Sequence, residues 1–223
     1  MDYRHEWKVA LAPADLPVLR QRLRTVMRPD CHARDGCYQI RSLYFDTPDD
    51  RALREKLDGV SCREKFRIRC YNGDYGYIQL EKKSKNAGLG WKEQAEMTAE
   101  QVRQLLDGQI AWMAAAEQPL LRELYSKMRG QLLRPRTLVD YCREPFVYAP
   151  GNVRVTLDYD IRTGLCSTAF LNPACPTVPA ADARPLLEVK WGAFLPDVIR
   201  NAVQMSGRQV GAFSKYAACR MYD

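Results

Sequence analysis

The run Arg63-Glu64-Lys65-Phe66-Arg67-Ile68-Arg69-Cys70 sets Arg63, Lys65, Arg67 and Arg69 at alternate positions, with Phe66, Ile68 and Cys70 between them. Successive side chains of a β-strand point to opposite faces, so an extended run would carry four cations on one side and an apolar stripe on the other. Like charges side by side weaken a sheet. Two unit charges about 4 Å apart repel by roughly 4 kcal/mol at an effective dielectric near 20. Such a face needs water, interleaved acids or a bound anion.

The split recurs along the chain. Arg4, Glu6 and Lys8 oppose Trp7 and Val9; Glu81, Lys83 and Lys85 oppose Ile78 and Leu80; Lys92, Gln94 and Glu96 follow on the next strand. Later, Arg154, Thr156, Asp158 and Asp160 oppose Val153, Val155, Leu157 and Tyr159, and Glu188 and Lys190 oppose Leu187, Val189 and Trp191, with Arg41 and Arg143 completing the set less cleanly. One alternating strand is what any solvated sheet face shows, but eight such strands need a common explanation. Helices between them require apolar surface to pack on. The expectation is an α+β fold: an eight-stranded antiparallel β-barrel with a charged lumen and helices packed outside. The proposed inward face carries thirteen cations and six acids, an excess of seven.

Helical periodicity and end signals predict helices over 16–27, 48–57 (capped by Thr47, with Pro48 in its first turn), 98–108 (a Thr98/Gln101 capping box), 118–133, 196–205 and 214–222. The 223 residues suit one domain, expected over 1–223. Lysine and arginine number 34 against 27 acids, and the isoelectric point is near 9.0, which favours a polyanionic partner. The eight cysteines form no C-x-x-C pair and read as reduced packing residues. With only His5 and His32, neither a His-based triad nor a His-rich metal site is expected, so a metal would sit on carboxylates. No apolar run approaches the ~20 residues of a membrane span and no signal-peptide core follows Met1, so a cytoplasmic location is expected. Nucleic-acid binding is disfavoured because Trp7, Phe66 and Trp191 fall on apolar faces instead of beside the basic residues.

In order, the chain contains Arg4-x-Glu6-x-Lys8, Ile40-Arg41-Ser42-Leu43-Tyr44-Phe45-Asp46-Thr47, Lys65-Phe66-Arg67-Ile68-Arg69-Cys70-Tyr71 and Leu80-Glu81-Lys82-Lys83 with Lys92 after it. Tyr141-x-Arg143-x-x-Phe146, Val153-Arg154-Val155-Thr156-Leu157-Asp158, Leu187-Glu188-Val189-Lys190 and Phe213-Ser214-Lys215-Tyr216 follow. Each motif is weak alone; the ordered set resembles the catalytic domain of the vacuolar transporter chaperone (VTC) polyphosphate polymerases, in the triphosphate tunnel metalloenzyme superfamily. That resemblance implies an eight-stranded antiparallel tunnel and transfer of the ATP γ-phosphoryl to inorganic polyphosphate, aided by Mn2+ or Mg2+. It implies Lys8, Arg67, Arg69, Lys83, Lys92, Arg143, Arg154 and Lys215 as the catalytic cations and Glu188 as the metal ligand. Arg41, Lys65, Lys85, Lys190 and Ser214 join them as further phosphate contacts, Ser214 and Lys215 at a helix start where backbone N–H groups favour anions.

One departure stands out. The related CYTH hydrolases and cyclases begin with Glu-x-Glu-x-Lys, whereas Arg4 replaces the first acid here. Fewer acids mean weaker metal coordination and a more cationic site, better matched to a long anion than to hydrolysis. Besides the polymerase, a non-catalytic polyphosphate or inositol-phosphate binding module and a metal-dependent triphosphate hydrolase stay open. The expected partners are ATP and inorganic polyphosphate, with a membrane-bound partner compatible with the chain and oligomeric state left open.

Overall fold

The computed structural model describes residues 5–33, 35–87 and 89–222; Arg4 lies outside them. In chain order the elements are β1 (His5–Ala10), α1 (Asp15–Val26), β2 (Arg28–Pro29), β3 (Tyr38–Asp46), α2 (Arg51–Leu57), β4 (Arg63–Tyr71), β5 (Asp74–Asn86), β6 (Leu89–Met97) and α3 (Ala99–Leu106). They continue with a 3-10 helix (Ala111–Ala115), α4 (Pro119–Gly130), β7 (Arg134–Tyr148), a 3-10 turn (Pro150–Asn152), β8 (Val153–Thr163), β9 (Val178–Pro179), β10 (Leu186–Trp191), α5 (Asp197–Val203) and α6 (Lys215–Cys219). The class is α+β, as expected, with eight strands of six residues or more and two short ones among the described residues. The chain divides into two compact units: Met1–Gln39 with Tyr141–Ile161 and Asp182–Ser214, and Ile40–Asp140 with Arg162–Ala181 and Lys215–Asp223.

In the first unit the hydrogen-bonded strands run β1, β10, β8 and the C-terminal half of β7, antiparallel through β1, β10 and β8. Val153, Val155 and Val189, with Leu157 and Leu187, turn one face inward onto Leu19 and Leu23 of α1 and Ile199 and Val203 of α5. Burying each such side chain contributes roughly 1.5–3 kcal/mol. Arg20 of α1 reaches Glu144 of β7 through two hydrogen bonds of 2.8 and 2.6 Å, a bidentate fork that fixes the helix on the strand.

In the second unit the N-terminal half of β7 is followed by β3, β4, β5 and β6. Phe66, Ile68 and Cys70 of β4, with Ile78 and Leu80 of β5, pack under α3 and α4 against Val102, Leu105, Leu121 and Leu124. The strand alternation read from the sequence is therefore realised: the apolar positions meet the helices and the charged positions face away. The β4–β5 hairpin turns at Asn72 (φ 53°) and Gly73 (φ 67°), the pair of left-handed residues that a two-residue primed turn requires.

Helix ends depart from expectation in several places, α4 stopping at Gly130 instead of 133 and α5 at Val203 instead of 205. The second helix begins at Arg51 rather than 48, and Thr47 is only a minor cap. Asp46 does most of the capping, with Oδ1 accepting from the Thr47 and Ala52 N–H groups (2.8 Å each) and Oδ2 from Leu53 N–H (3.1 Å). The last helix spans only Lys215–Cys219 instead of 214–222. The cysteines carry no disulfide among the described residues; Cys70, Cys175 and Cys219 are buried as packing residues, Cys37 and Cys142 are half-buried, and Cys31, Cys62 and Cys166 are exposed. No helix among the described residues is long and apolar enough to cross a membrane.

The capping box at α3 is present in full: Thr98 Oγ1 accepts from Gln101 N–H (3.1 Å), and Gln101 Oε1 accepts from Thr98 N–H (2.9 Å). Thr98→Ala is expected to lower stability by about 1 kcal/mol, read as a shift of the urea midpoint without a change in slope.

Candidate functional site

Register, which the sequence alone does not specify, decides which charges of the second unit meet. Across β4, β5 and β6, Lys65 stands opposite Lys83, and Lys83 opposite Lys92. Arg63 stands opposite Lys85. The next rows are Arg67–Glu81–Gln94 and Arg69–Gln79–Glu96. Over positions 63–69, 79–85 and 92–96, this face sets seven cations against two carboxylates, Glu81 and Glu96. A row of three lysines across adjacent strands is destabilising by itself, and the Lys92 ammonium turns to Glu81 of the next row.

Glu81 organises the buried end of that face. It is 1% exposed, and its carboxylate lies 2.5 Å from Arg67, 2.5 Å from Lys92 and 3.7 Å from Arg69. Burial alone would raise the Glu81 carboxyl, but the charges of Arg67, Arg69 and Lys92 outweigh it and hold the group below the usual carboxylate range. Arg67 also donates to the Tyr44 hydroxyl (2.7 Å), and Arg69 to Ser42 Oγ (3.1 Å). The two guanidinium groups are thereby oriented by β3, whose Tyr44 and Ser42 pair with Arg67 and Arg69 in register.

A second buried network supports this one. Tyr216 of α6 stacks on Tyr44 with ring centroids 5.0 Å apart, and the Lys65 ammonium lies 5.2 Å from the Tyr216 ring centroid. The Tyr216 hydroxyl donates to Asp46 (2.5 Å) and accepts from Arg220 (2.7 Å), while Arg220 also donates to Asp50 (2.9 Å). Burial first, then the neighbouring Asp46 charge, pushes the Tyr216 phenol well up, so it stays a donor at neutral pH. The sequence placed Tyr44, Asp46 and Tyr216 inside motifs without revealing this role, because the partners lie 170 residues apart. The usable signal was a Tyr directly after Lys215 and an Asp closing the 40–46 run.

The first unit has its own charged face. Lys8, Glu188 and Thr156 are aligned across β1, β10 and β8, and Glu6, Lys190 and Arg154 form the neighbouring row. Glu188 lies 3.5 Å from Lys8, 3.5 Å from Arg143 and 3.4 Å from Lys190. Arg143 forks onto the fully buried Asp158 at 2.6 and 2.7 Å. Burial opposes the Arg143 charge, but Asp158, Tyr141 and Glu188 hold its guanidinium protonated well above the ordinary value. Asp158 is thus committed, and the Glu188 contacts with Lys8, Arg143 and Lys190 are longer. Glu188 is a hard oxygen donor that suits a divalent cation arriving with phosphate oxygens, the way Mg2+ is usually held. A separate group of metal-type side chains, the consecutive Asp30, Cys31 and His32, lies in a loop, but Asp30 already pairs with Arg154 at 3.2 Å.

Of the residues singled out from the sequence, Lys65, Arg67, Arg69, Lys83, Lys85 and Lys92 share one face of the second unit, and Lys8, Arg143, Arg154, Lys190 and Glu188 share one face of the first. Lys215 opens α6 and Ser214 directly precedes it; at five residues that helix is too short to act as an anion site on its dipole alone. Arg41 does not belong with them. It pairs in register with the core residue Cys70, on the opposite face from Arg67 and Arg69, and its guanidinium is taken up by Asp140 (2.8 Å) and the Asn172 carbonyl (2.5 Å). The reason is parity: β3 presents Ser42 and Tyr44, the even positions, to the charged face.

The family model of the VTC domain matches residues 3–222. The chain belongs to the VTC domain family. Among solved structures this VTC domain is similar to a candidate adenylate cyclase of Bacillus halodurans, with TM-score 0.52 and 14% identity over 86% of this chain and 82% of that one. It also matches the PH1012 protein of Pyrococcus horikoshii OT3, with TM-score 0.49 and 13% identity over 95% of this chain and 94% of that one. At such identities the likeness concerns the fold. None of the curated proteins matches the chain.

Because the folded Glu81 carboxyl titrates below its ordinary value of 4.5, its ion pairs stabilise the VTC domain above that pH, and the contribution is lost as pH falls toward the depressed folded value. Glu81→Gln is expected to lower stability by about 3 kcal/mol at pH 7. The gap to the unaltered protein should narrow below about pH 4.5, as followed by urea unfolding between pH 7 and pH 3.

Proposed function

We propose that this VTC domain is an ATP-dependent polyphosphate polymerase, transferring the ATP γ-phosphoryl to the end of an inorganic polyphosphate chain. The observation that carries the reading is the Lys65–Lys83–Lys92 row, flanked by Arg63–Lys85 and by the oriented guanidinium groups of Arg67 and Arg69. Lysines set at aligned strand positions match a ligand that presents charge at regular intervals and has to slide. Arginine forks match the oxygens of one phosphoryl group held still.

The reaction makes few demands on side-chain chemistry. An oxygen of the terminal phosphate attacks the γ-phosphorus, the bond to the β–γ bridging oxygen breaks, and ADP leaves, so charge balances without a proton. The nucleophile is already anionic and no general base is required. That agrees with a chain whose two histidines lie elsewhere, His5 stacked on Trp191 and His32 in a loop. Catalysis then rests on positioning and on stabilising the equatorial oxygens. Arg67, Arg69, Lys83 and Lys92 in the second unit, and Lys8, Arg143 and Arg154 in the first, are suited to that work, with Lys215, Lys65, Lys85, Lys190 and Ser214 as further phosphate contacts. Glu188 would hold Mn2+ or Mg2+ together with phosphate oxygens, a cation that supplies charge neutralisation.

Hydrolysis fits the site less well. Its buried acids are already engaged, Glu81 by three cations and Asp158 by Arg143. Among the described residues, the buried acids Glu81 and Asp158 are thereby held as ion-pair partners instead of being poised to activate water.

Purified protein given ATP and Mn2+ is expected to produce a polyphosphate ladder that an exopolyphosphatase destroys, and Lys83→Ala should slow its formation by about 100-fold. Orthophosphate without a ladder would instead establish a hydrolase. Tight polyphosphate binding with neither product would establish a non-catalytic binding module.

A further inference from the structure

Thr156 stands out in the charged face of the first unit. It is 4% exposed, and its Oγ1 is one of three buried side-chain polar atoms without a hydrogen-bond partner among the described residues. The other two, Ser84 Oγ and Trp112 Nε1, lie on the helix-packed side of the second unit, Ser84 among the residues lining a cleft of about 340 Å3 and Trp112 against the core. Thr156 differs because its cross-strand partner is Glu188. Directly paired residues of an antiparallel sheet have Cβ atoms about 5 Å apart, close enough for a hydroxyl to reach a carboxylate. A buried hydroxyl left unmatched costs about 1–3 kcal/mol, and valine would fill the same volume without that cost.

Glu188 supplies the complementary observation. Its contacts with Lys8, Arg143 and Lys190 are 3.4–3.5 Å long. Of these cations, the two lysines are the ones a phosphate ligand would draw away, since Arg143 is forked onto Asp158. Once they turn to phosphate, their contacts with the carboxylate lengthen, and a neutral donor can orient it without competing for the ligand. A lysine cannot serve, since it would follow the anion. The Thr156 hydroxyl is adjacent, neutral and uncommitted.

We propose that Thr156 is the positioning residue of Glu188. Its hydroxyl donates to the Glu188 carboxylate when phosphate binds, and so aims the other carboxylate oxygen at the divalent cation. The inference rests on the functional reading above, deepens it, and adds a residue to that site. Groups that orient a metal-binding carboxylate typically alter metal affinity by 10–100-fold.

The test is calorimetric titration of the protein with tripolyphosphate, once with Mn2+ and once in chelator, beside thermal unfolding without ligand. Thr156→Val should leave the unfolding midpoint unchanged or raise it. It should weaken binding about tenfold with Mn2+ and leave binding in chelator as it was. Thr156→Ser should restore the Mn2+-dependent affinity. Unchanged binding of Thr156→Val with Mn2+, or an equal loss in chelator, would overturn the positioning role while the functional reading stands. Absence of Mn2+-dependent binding in the unaltered protein, or no effect of Glu188→Gln on it, would overturn the functional reading and this inference with it.

Discussion

Crowding of like charge on a sheet face is the constraint around which the second unit is built. Lys65, Lys83 and Lys92 are forced together by strand register, not by attraction. The fold tolerates them because one row away Glu81 is buried and gathers Arg67, Arg69 and Lys92 around a single carboxylate. Removing a partner from such a buried cluster leaves uncompensated charge, which costs more than the cluster contributes when intact. The acid therefore keeps its neighbours folded and in place.

That arrangement depends on the apolar side of the same strands. Phe66, Ile68, Cys70, Ile78 and Leu80 bind the sheet to α3 and α4, and this burial offsets the electrostatic cost of the opposite face. Tyr44 and Tyr216 add an aromatic floor under Lys65 and Arg67. Through Asp46, which also caps α2, the C-terminal helix is tied to β3 and to the start of α2 in one buried network. The helix bearing Lys215 is thus held by a phenol kept protonated by its surroundings instead of by an exposed ion pair that salt would screen.

The first unit uses the same device with different proportions. Its charged face is closer to balance, with Lys8, Lys190, Arg143 and Arg154 facing Glu6, Glu188 and Asp158, and its pairs differ in strength. Asp158 and Arg143 are locked by a fork, whereas Lys8, Arg143 and Lys190 stand 3.4–3.5 Å from Glu188. A locked acid sets the position of an arginine.

The sequence by itself determined the two-faced strands, the α+β class, the capping box at Thr98, the family and most of the cation set. These follow from local periodicity and from ordered motifs, and both survive translation into structure because each strand must bury its apolar side. Tertiary structure alone decided which charges meet. Register made a lysine row of Lys65, Lys83 and Lys92 and placed Glu81 beside Arg67. Strand parity turned Arg41 away toward Asp140, against the expectation from its motif. It also joined Asp46 to Tyr216 and left Thr156 beside Glu188. Pairing energies between strands depend on residues distant in the chain, and a shift of one residue exchanges the faces of a whole strand. No local pattern carries that information.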